Sequence, residues 1–270
     1  MWQKNCYRIV VKVGTSTLTH DSGAANLHSI EQLVRVLADL EGYGHEVILV
    51  TSGAISVGAS KMMLNERPKE LRMKQAAAAV GQCQLMHFYD KFFAEYNRSV
   101  AQILLTDEDV ADPVRSEHLS GTFGALLEMG IIPIVNENDS VSSAEIETGA
   151  QKILGDNDTL SAIVAKLCKA DMLILLSDID GLYDKDPHKN KDAKLIHRVE
   201  KLGDEVEDMA GGAGSKRGTG GMVTKISAAK IATEAGCDMI ISNGARPGDI
   251  YDIVAGKEVG TRFVAKKGEC

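Results

Sequence analysis

Lys12 sits inside an apolar run, flanked by Val11 and Val13. Two readings fit it: an edge-strand lysine reaching out to solvent, or a point charge placed for a phosphate. Spacing leaves both open. A second lysine closes the stretch Gly218-Thr219-Gly220-Gly221-Met222-Val223-Thr224-Lys225. Glycines let the backbone aim N–H groups at an anion. The helix that follows favours negative charge at its N-terminus, and Lys225, one turn in, can reach the same place. The stretch is a phosphate cradle in outline. It is not a Walker A loop, since no Gly-x4-Gly-Lys-[Ser/Thr] occurs, and no Gly-x-Gly-x-x-Gly follows a strand. A third stretch, Gly155-Asp156-Asn157-Asp158-Thr159-Leu160-Ser161, opens a helix. Asp and Asn suit an N-cap, but three consecutive polar residues exceed what one cap requires. An Asp here could hold two lysines in position.

The rest of the inventory narrows the chemistry. There is no Gly-x-Ser-x-Gly elbow and no His-Glu-x-x-His, and the seven histidines are isolated, which disfavours a histidine triad or metal cage. A reaction needing no general base suits these residues. Phosphoryl transfer to a carboxylate is one, because the nucleophile is already ionised. Positioning and charge neutralisation then carry the catalysis, from lysines, glycine N–H groups and Mg2+.

Such groups need elements to hold them. Tyr7–Val13, Glu46–Thr51, Val100–Leu105, Ile131–Asn136, Met172–Ser177 and Asp238–Ser242 read as strands. Several are near-continuous Val, Ile and Leu, as in strands covered on both faces. Between the first two, Ile30, Leu33, Val34, Leu37 and Leu40 fall at helical spacing, with Ser29 and Gln32 as a capping box. Further helices are expected at Leu71–Tyr96, Pro113–Met129, Asp158–Lys169, Thr224–Ala235 and Asp249–Ala255, and a last strand near Thr261–Val264. This alternation predicts an α/β fold, a three-layer αβα sandwich with a mainly parallel central sheet. Ligands in such sheets sit outside the carboxyl ends of strands. Four of the predicted strands end in polar and glycine residues: Lys12-Val13-Gly14-Thr15-Ser16, Thr51-Ser52-Gly53-Ala54, Asn136-Glu137-Asn138-Asp139 and Ser177-Asp178-Ile179-Asp180-Gly181. Each alone could be a turn. Together they point to one shared site. Ala210–Met222 reads as a glycine-rich functional loop, and Tyr183–Lys201 as a solvated excursion or hairpin.

Composition sets the outer limits. The 270 residues carry 30 Lys and Arg against 38 Asp and Glu, a net charge of -8. Sequence-independent nucleic-acid binding wants a basic face, so no nucleic-acid partner is expected. The longest apolar runs, such as Met172–Leu176, are five residues, far short of the ~20 of a membrane helix. With no apolar signal core at the N-terminus, a cytoplasmic protein without a membrane partner is expected. The five scattered cysteines include no Cys-x-x-Cys and read as reduced, mostly buried thiols.

In their order along the chain, these motifs resemble the amino acid kinase family, most specifically its glutamate-phosphorylating members. The match also takes in Gly58, Gln75-Ala76, Gly81-Gln82, Gln102-x-Leu104-Leu105-Thr106 and Gly181-Leu182-Tyr183. The lysine strand and the glycine-lysine element are shared widely in the family. The Asn-Glu-Asn-Asp and Gly-Asp-Asn-Asp elements are much more specific. The resemblance implies ATP plus L-glutamate giving ADP plus L-glutamyl 5-phosphate, the first step of proline synthesis. Lys12 and Lys225 would neutralise the transferring group and Asp158 would orient them. Ser52, Gly53, Ala54, Asn138, Asp139 and Asn157 would bind glutamate, with Asp139 a partner for its ammonium. Lys12, Gly14, Thr15, Ser177, Asp178, Thr219, Gly220, Gly221, Met222, Val223, Thr224 and Lys225 would hold the nucleotide. Mg2+ would travel with ATP, on its phosphate oxygens. The resemblance also implies feedback inhibition by proline, placed here at Ser140–Gln151, a homo-oligomer, and hand-off of product to a glutamyl phosphate reductase. Many members carry a C-terminal PUA domain. With the last residue at Cys270, a single kinase domain over residues 1–270 is expected, its substrate part roughly 1–170 and its nucleotide part roughly 171–270. Two other readings stay open: a sibling kinase for another acid or a nucleoside monophosphate, and a catalytically silent sensor on the same fold.

Overall fold

The computed structural model describes residues 6–141, 153–187, 189–204, 206, 209 and 221–266. One eight-stranded sheet runs through them. In chain order its strands are β1 (Arg8–Val13), β2 (Glu46–Val50), β3 (Val100–Leu105), β4 (Ile132–Glu137), β5 (Met172–Ser177), β6 (Arg198–Val199), β7 (Asp238–Asn243) and β8 (Thr261–Phe263). Across the sheet they lie β3-β4-β2-β1-β5-β7-β8-β6. The first six in that order are parallel. The β7–β8 pair is antiparallel, and β6 runs with β8.

The helices are α1 (Thr15–Leu18), α2 (Leu27–Gly42), α3 (Ala54–Lys61), α4 (Leu71–Ala94), α5 (Asp107–Ala111), α6 (Pro113–Glu128), α7 (Asn157–Leu167), α8 (Gly221–Glu234) and α9 (Asp249–Val254). They cover both faces of the sheet. Side chains alternate along β1, so Ile9, Val11 and Val13 bury against α2 and α4, among Leu33, Leu37 and Phe93. Val10 faces the other way, into a second core with Phe123, Leu160 and Ala229 from α6, α7 and α8. Each fully buried Ile, Leu or Phe contributes about 1.5–3 kcal/mol relative to exposure. Two such cores fix the order of the layers.

The seven predicted strands and six predicted helices form, with ends shifted by a few residues. The cap of α2 is a correction. Its N-cap is Asn26, whose Oδ1 accepts from Ser29 N at 3.1 Å, so Ser29 and Gln32 make no capping box. Helix α7 starts at Asn157 because the Asp156 carboxylate caps it, accepting from Asp158 N at 2.7 Å and Thr159 N at 3.0 Å. Helix α3, unrecognised in the sequence, begins on Ala54, the last residue of the second strand-end motif. The Tyr183–Lys201 stretch is a hairpin-like excursion, with an antiparallel bridge from Tyr183 to Leu195 and then β6.

Candidate phosphoryl-transfer site

The strand order sets the site. The four polar strand ends belong to β4, β2, β1 and β5, which are consecutive neighbours in the sheet. Lys12 is near the carboxyl end of β1, paired with Val50 of β2 on one side and Leu175 of β5 on the other. It is therefore no edge-strand lysine. By the period of two it points to the same face as Val10, toward the layer of α7 and α8. There its Nζ meets Asp158 Oδ1 at 2.6 Å.

Asp158 is the second residue of α7, where the cap has fixed the backbone, and its carbonyl accepts from Ser161 Oγ at 2.6 Å. From α8, Lys225 Nζ and Thr224 Oγ1 each donate to Asp158 Oδ2 at 3.0 Å. Both carboxylate oxygens are thus occupied by cationic or hydroxyl donors. Burial alone would raise the Asp158 pKa; the ammonium groups of Lys12 and Lys225 outweigh it and hold the carboxyl below its ordinary value. Asp158, Lys12 and Lys225 are all at least nine-tenths buried. Two positive charges and one negative charge leave a net positive spot in a chain of net charge -8, which suits a phosphoryl group.

Beside this cluster a cavity of about 310 Å³ is lined by Lys12, Gly14, Thr15, Ser52, Gly53, Ala54, Asn136, Glu137, Asp139 and Asn157, together with Ile55, Ser56 and Arg67. Asn157 is locked in place: its Nδ2 donates to Thr51 O at 2.8 Å, Ser52 Oγ at 2.6 Å and Asn136 Oδ1 at 3.3 Å. All three bonds use the amide nitrogen, so Oδ1 is left for a donor. Asn136 in turn donates to Gln82 Oε1 at 3.0 Å, and Tyr89 bonds Thr51 Oγ1 at 2.7 Å. Both supports come from α4. Gly53 has φ +91°, the left-handed region that favours glycine, and no side chain caps the start of α3. The first N–H groups of α3 therefore open at the cavity wall, a favourable place for an anion.

The sequence-predicted residues divide accordingly. Lys12, Asp158 and Lys225 form one cluster. Gly14, Thr15, Ser52, Gly53, Ala54, Asp139 and Asn157 line the cavity next to it. Asn138 does not line it. It faces an adjoining cavity of about 370 Å³, which Asp139 also borders, and its Oδ1 accepts from Ser140 Oγ at 2.5 Å. Ser177 and Asp178 stand at the end of β5, bonded to each other at 3.0 Å, and line neither cavity. Gly221, Met222, Val223 and Thr224 form the first turn of α8. Thr219, Gly220 and most of the Ala210–Met222 loop lie outside the described residues, as does nearly all of Ser140–Gln151. Sequence reasoning missed several contributors as site residues, among them Asn136, Ile55 and Ser56 on the cavity wall. Arg67 and Glu137 line the cavity. Gln82 braces Asn136, and Asp107, at the start of α5, accepts from Leu154 N at 2.7 Å and fixes the approach to α7. Gln82 and Glu137 stood inside recognised motifs; Arg67 and Asp107 had no local signal.

Residues 7–243 match the family described as the amino acid kinase family. A glutamate 5-kinase of Clostridium perfringens is 57% identical over 268 residues, covering 98% of each chain. One of Listeria monocytogenes is 52% identical over 267 residues, covering 98% of this chain and 96% of that protein. One of Caldanaerobacter subterraneus is 54% identical over 260 residues, 96% of this chain but 68% of that protein. Among solved structures, a carbamate kinase from Giardia lamblia superposes with a TM-score of 0.67 at 14% identity, over 97% of this chain and 99% of that one. At that identity the likeness speaks to fold alone. A family match over most of the chain, with relatives more than half identical over nearly its whole length, gives the conclusion that the chain belongs to the amino acid kinase family.

Proposed function

We propose that this chain transfers the γ-phosphoryl group of ATP to the side-chain carboxylate of L-glutamate, giving ADP and L-glutamyl 5-phosphate in the first step of proline biosynthesis. The observation that carries it is the Lys12–Asp158–Lys225 cluster at the wall of a small polar cavity. The likeness to glutamate 5-kinases over nearly the whole chain supports the choice of substrate.

The acceptor carboxylate is already ionised, so no base is required. Lys12 and Lys225 neutralise the charge on the transferring group, and Asp158 holds both ammonium heads where that charge develops. Ser52, Gly53, Ala54 and Asn157 position the acceptor, and Asp139 pairs with its ammonium. Ser177, Asp178 and the start of α8, with Thr219 and Gly220, hold the nucleotide. Both oxygens of Asp158 are committed to lysines, and no group of three acidic, His or Cys side chains among the described residues could hold a metal. In this reading Mg2+ would ride on the ATP phosphates, where it would supply further charge neutralisation. Feedback inhibition by proline, a homo-oligomeric state, hand-off of the labile product to a reductase, and a cytoplasmic location belong to the same reading. No helix among the described residues is long and apolar enough to cross a membrane.

Hydroxylamine traps acyl phosphates, so the test is hydroxamate formation from ATP, Mg2+ and L-glutamate, N-acetylglutamate or L-aspartate. Product with L-glutamate alone is expected, falling as proline is titrated in. Equal product from N-acetylglutamate, which has no ammonium for Asp139, would overturn the substrate. Nucleotide binding with no product from any acid would favour a silent sensor.

A further inference from the structure

Arg67 lies between α3 and α4, on the wall of the acceptor cavity that Lys12 and Asn157 also line. Arg8, Arg98, Arg115, Arg246 and Arg262 are each tied to a carboxylate at 2.6–3.0 Å. Arg67 has no hydrogen-bond or ion-pair partner among the described residues. Arg67 is exposed and lines the cavity, while the cavity's other cation, Lys12, is spent on Asp158.

The charges of the cavity call for such a group. An amino dicarboxylate brings one ammonium and two carboxylates. The reacting carboxylate goes to the Lys12 end. The ammonium goes to the acidic side, where Glu137 and Asp139 both line the wall. The remaining carboxylate is attached to the same carbon as the ammonium, so it is carried close to those two acids. Without a cation it would be repelled by like charge at short range. A guanidinium offers two parallel N–H donors that match a carboxylate.

We infer that Arg67 is a specificity-determining residue that holds the α-carboxylate of the acceptor amino acid. The inference rests on the glutamate reading of the site. It explains how a cavity bordered by two acids can accept a substrate that carries two carboxylates, and it assigns the acceptor as one with a free α-carboxylate.

The test uses Arg67→Gln and Arg67→Lys with three acceptors. L-Glutamate has both groups, glutarate lacks the ammonium, and 4-aminobutyrate lacks the α-carboxylate. Each is assayed as a substrate for hydroxamate formation and as a competitive inhibitor of glutamate turnover. Arg67→Gln is expected to raise the glutamate KM by about tenfold or more, the loss of one charge-assisted pair. Glutarate should weaken by a similar factor. The inhibition constant of 4-aminobutyrate and the KM for ATP should stay as in the unmodified chain, and Arg67→Lys should recover part of the loss. An unchanged glutamate KM overturns the inference. So does an equal loss for 4-aminobutyrate, or a rise confined to ATP, which would place Arg67 on the nucleotide. If the unmodified chain makes no product from glutamate, the substrate reading fails instead, and the two failures are told apart.

Discussion

At Asp158 two costs oppose each other. Desolvation disfavours the carboxylate, and two ammonium groups within 3.0 Å more than offset it. Removing the charge leaves two buried lysines facing each other with no negative charge between them. Deleting one partner of a buried pair costs about 3–5 kcal/mol. Asp158→Asn should therefore lower stability by that order in urea unfolding, and kcat by about a hundredfold or more as the lysine heads lose their anchor. An unchanged unfolding midpoint would contradict the ionic account. His45 makes a pH prediction. Its Nδ1 accepts from Tyr7 N at 3.1 Å, which requires the neutral ring, and burial lowers its pKa. Unfolded histidine titrates near 6.5. A lowered folded pKa means the fold favours the neutral form. Its contribution is thus fully present above about pH 6.5 and is lost as pH falls from there through the folded value. His45→Gln should flatten that part of the stability profile between pH 7 and 5. A mutant profile that keeps the slope would assign it elsewhere.

Elements act through how closely they approach. Helices α3 and α4 meet at two glycines. A Cβ on Gly58 would stand 1.8 Å from Ala77 O, and one on Gly81 would stand 1.7 Å from Ala54 O. No side chain can yield there, because backbone blocks both places. Ala54 is also where α3 opens onto the acceptor cavity. Gly81→Ala should destabilise by the upper end of the usual 1–3 kcal/mol for overpacking, or about that, and should raise the glutamate KM because Ala54 must move. Wild-type behaviour in both would mean the helices do not cross this tightly. The α4 helix is about 36 Å long at 1.5 Å per residue. That length lets it brace Thr51 through Tyr89 and Asn136 through Gln82 at once.

For the whole molecule the governing fact is strand order. Chain order scatters the four polar strand ends across residues 12–181; the sheet makes their strands neighbours, β4-β2-β1-β5. The same burial sorts the thiols. Cys168 and Cys237 are buried, which pushes each thiol up to about 12, while Cys6 and Cys83 are exposed. Thiolate is the reactive form. A mild alkylating agent should label Cys6 and Cys83 in the folded chain and leave Cys168 and Cys237 until it unfolds. Mass-spectrometric mapping reads this directly, and early labelling of Cys237 would show that the segment leading into β7 opens by itself. Cys83 lines the cavity next to Asp139, so glutamate should slow its labelling.

Much of this was legible in the chain because it is local. Continuous Val, Ile and Leu runs mark strands covered on both faces, and helical spacing marks α2, whatever the rest of the chain does. The lysines, the Gly-Asp-Asn-Asp turn and the glycine-lysine stretch are visible by residue type. Other features depend on what is far away in sequence. The α2 cap went to Asn26 because the approach of the chain, and not the motif spacing, decides which side chain reaches the free N–H groups. Helix α3 is short, eight residues, and built of Ala, Gly and Ser as much as of apolar residues, so periodicity has little to register. Whether Lys12 was an edge lysine or an internal charge was undecidable locally, since only its neighbours β2 and β5 make β1 central. Arg67 has no motif at all; its meaning comes from facing a cavity whose other walls lie up to ninety residues away. Residue types and periods are written in the sequence, whereas the meeting of distant charges is decided when the sheet order closes the loops between them.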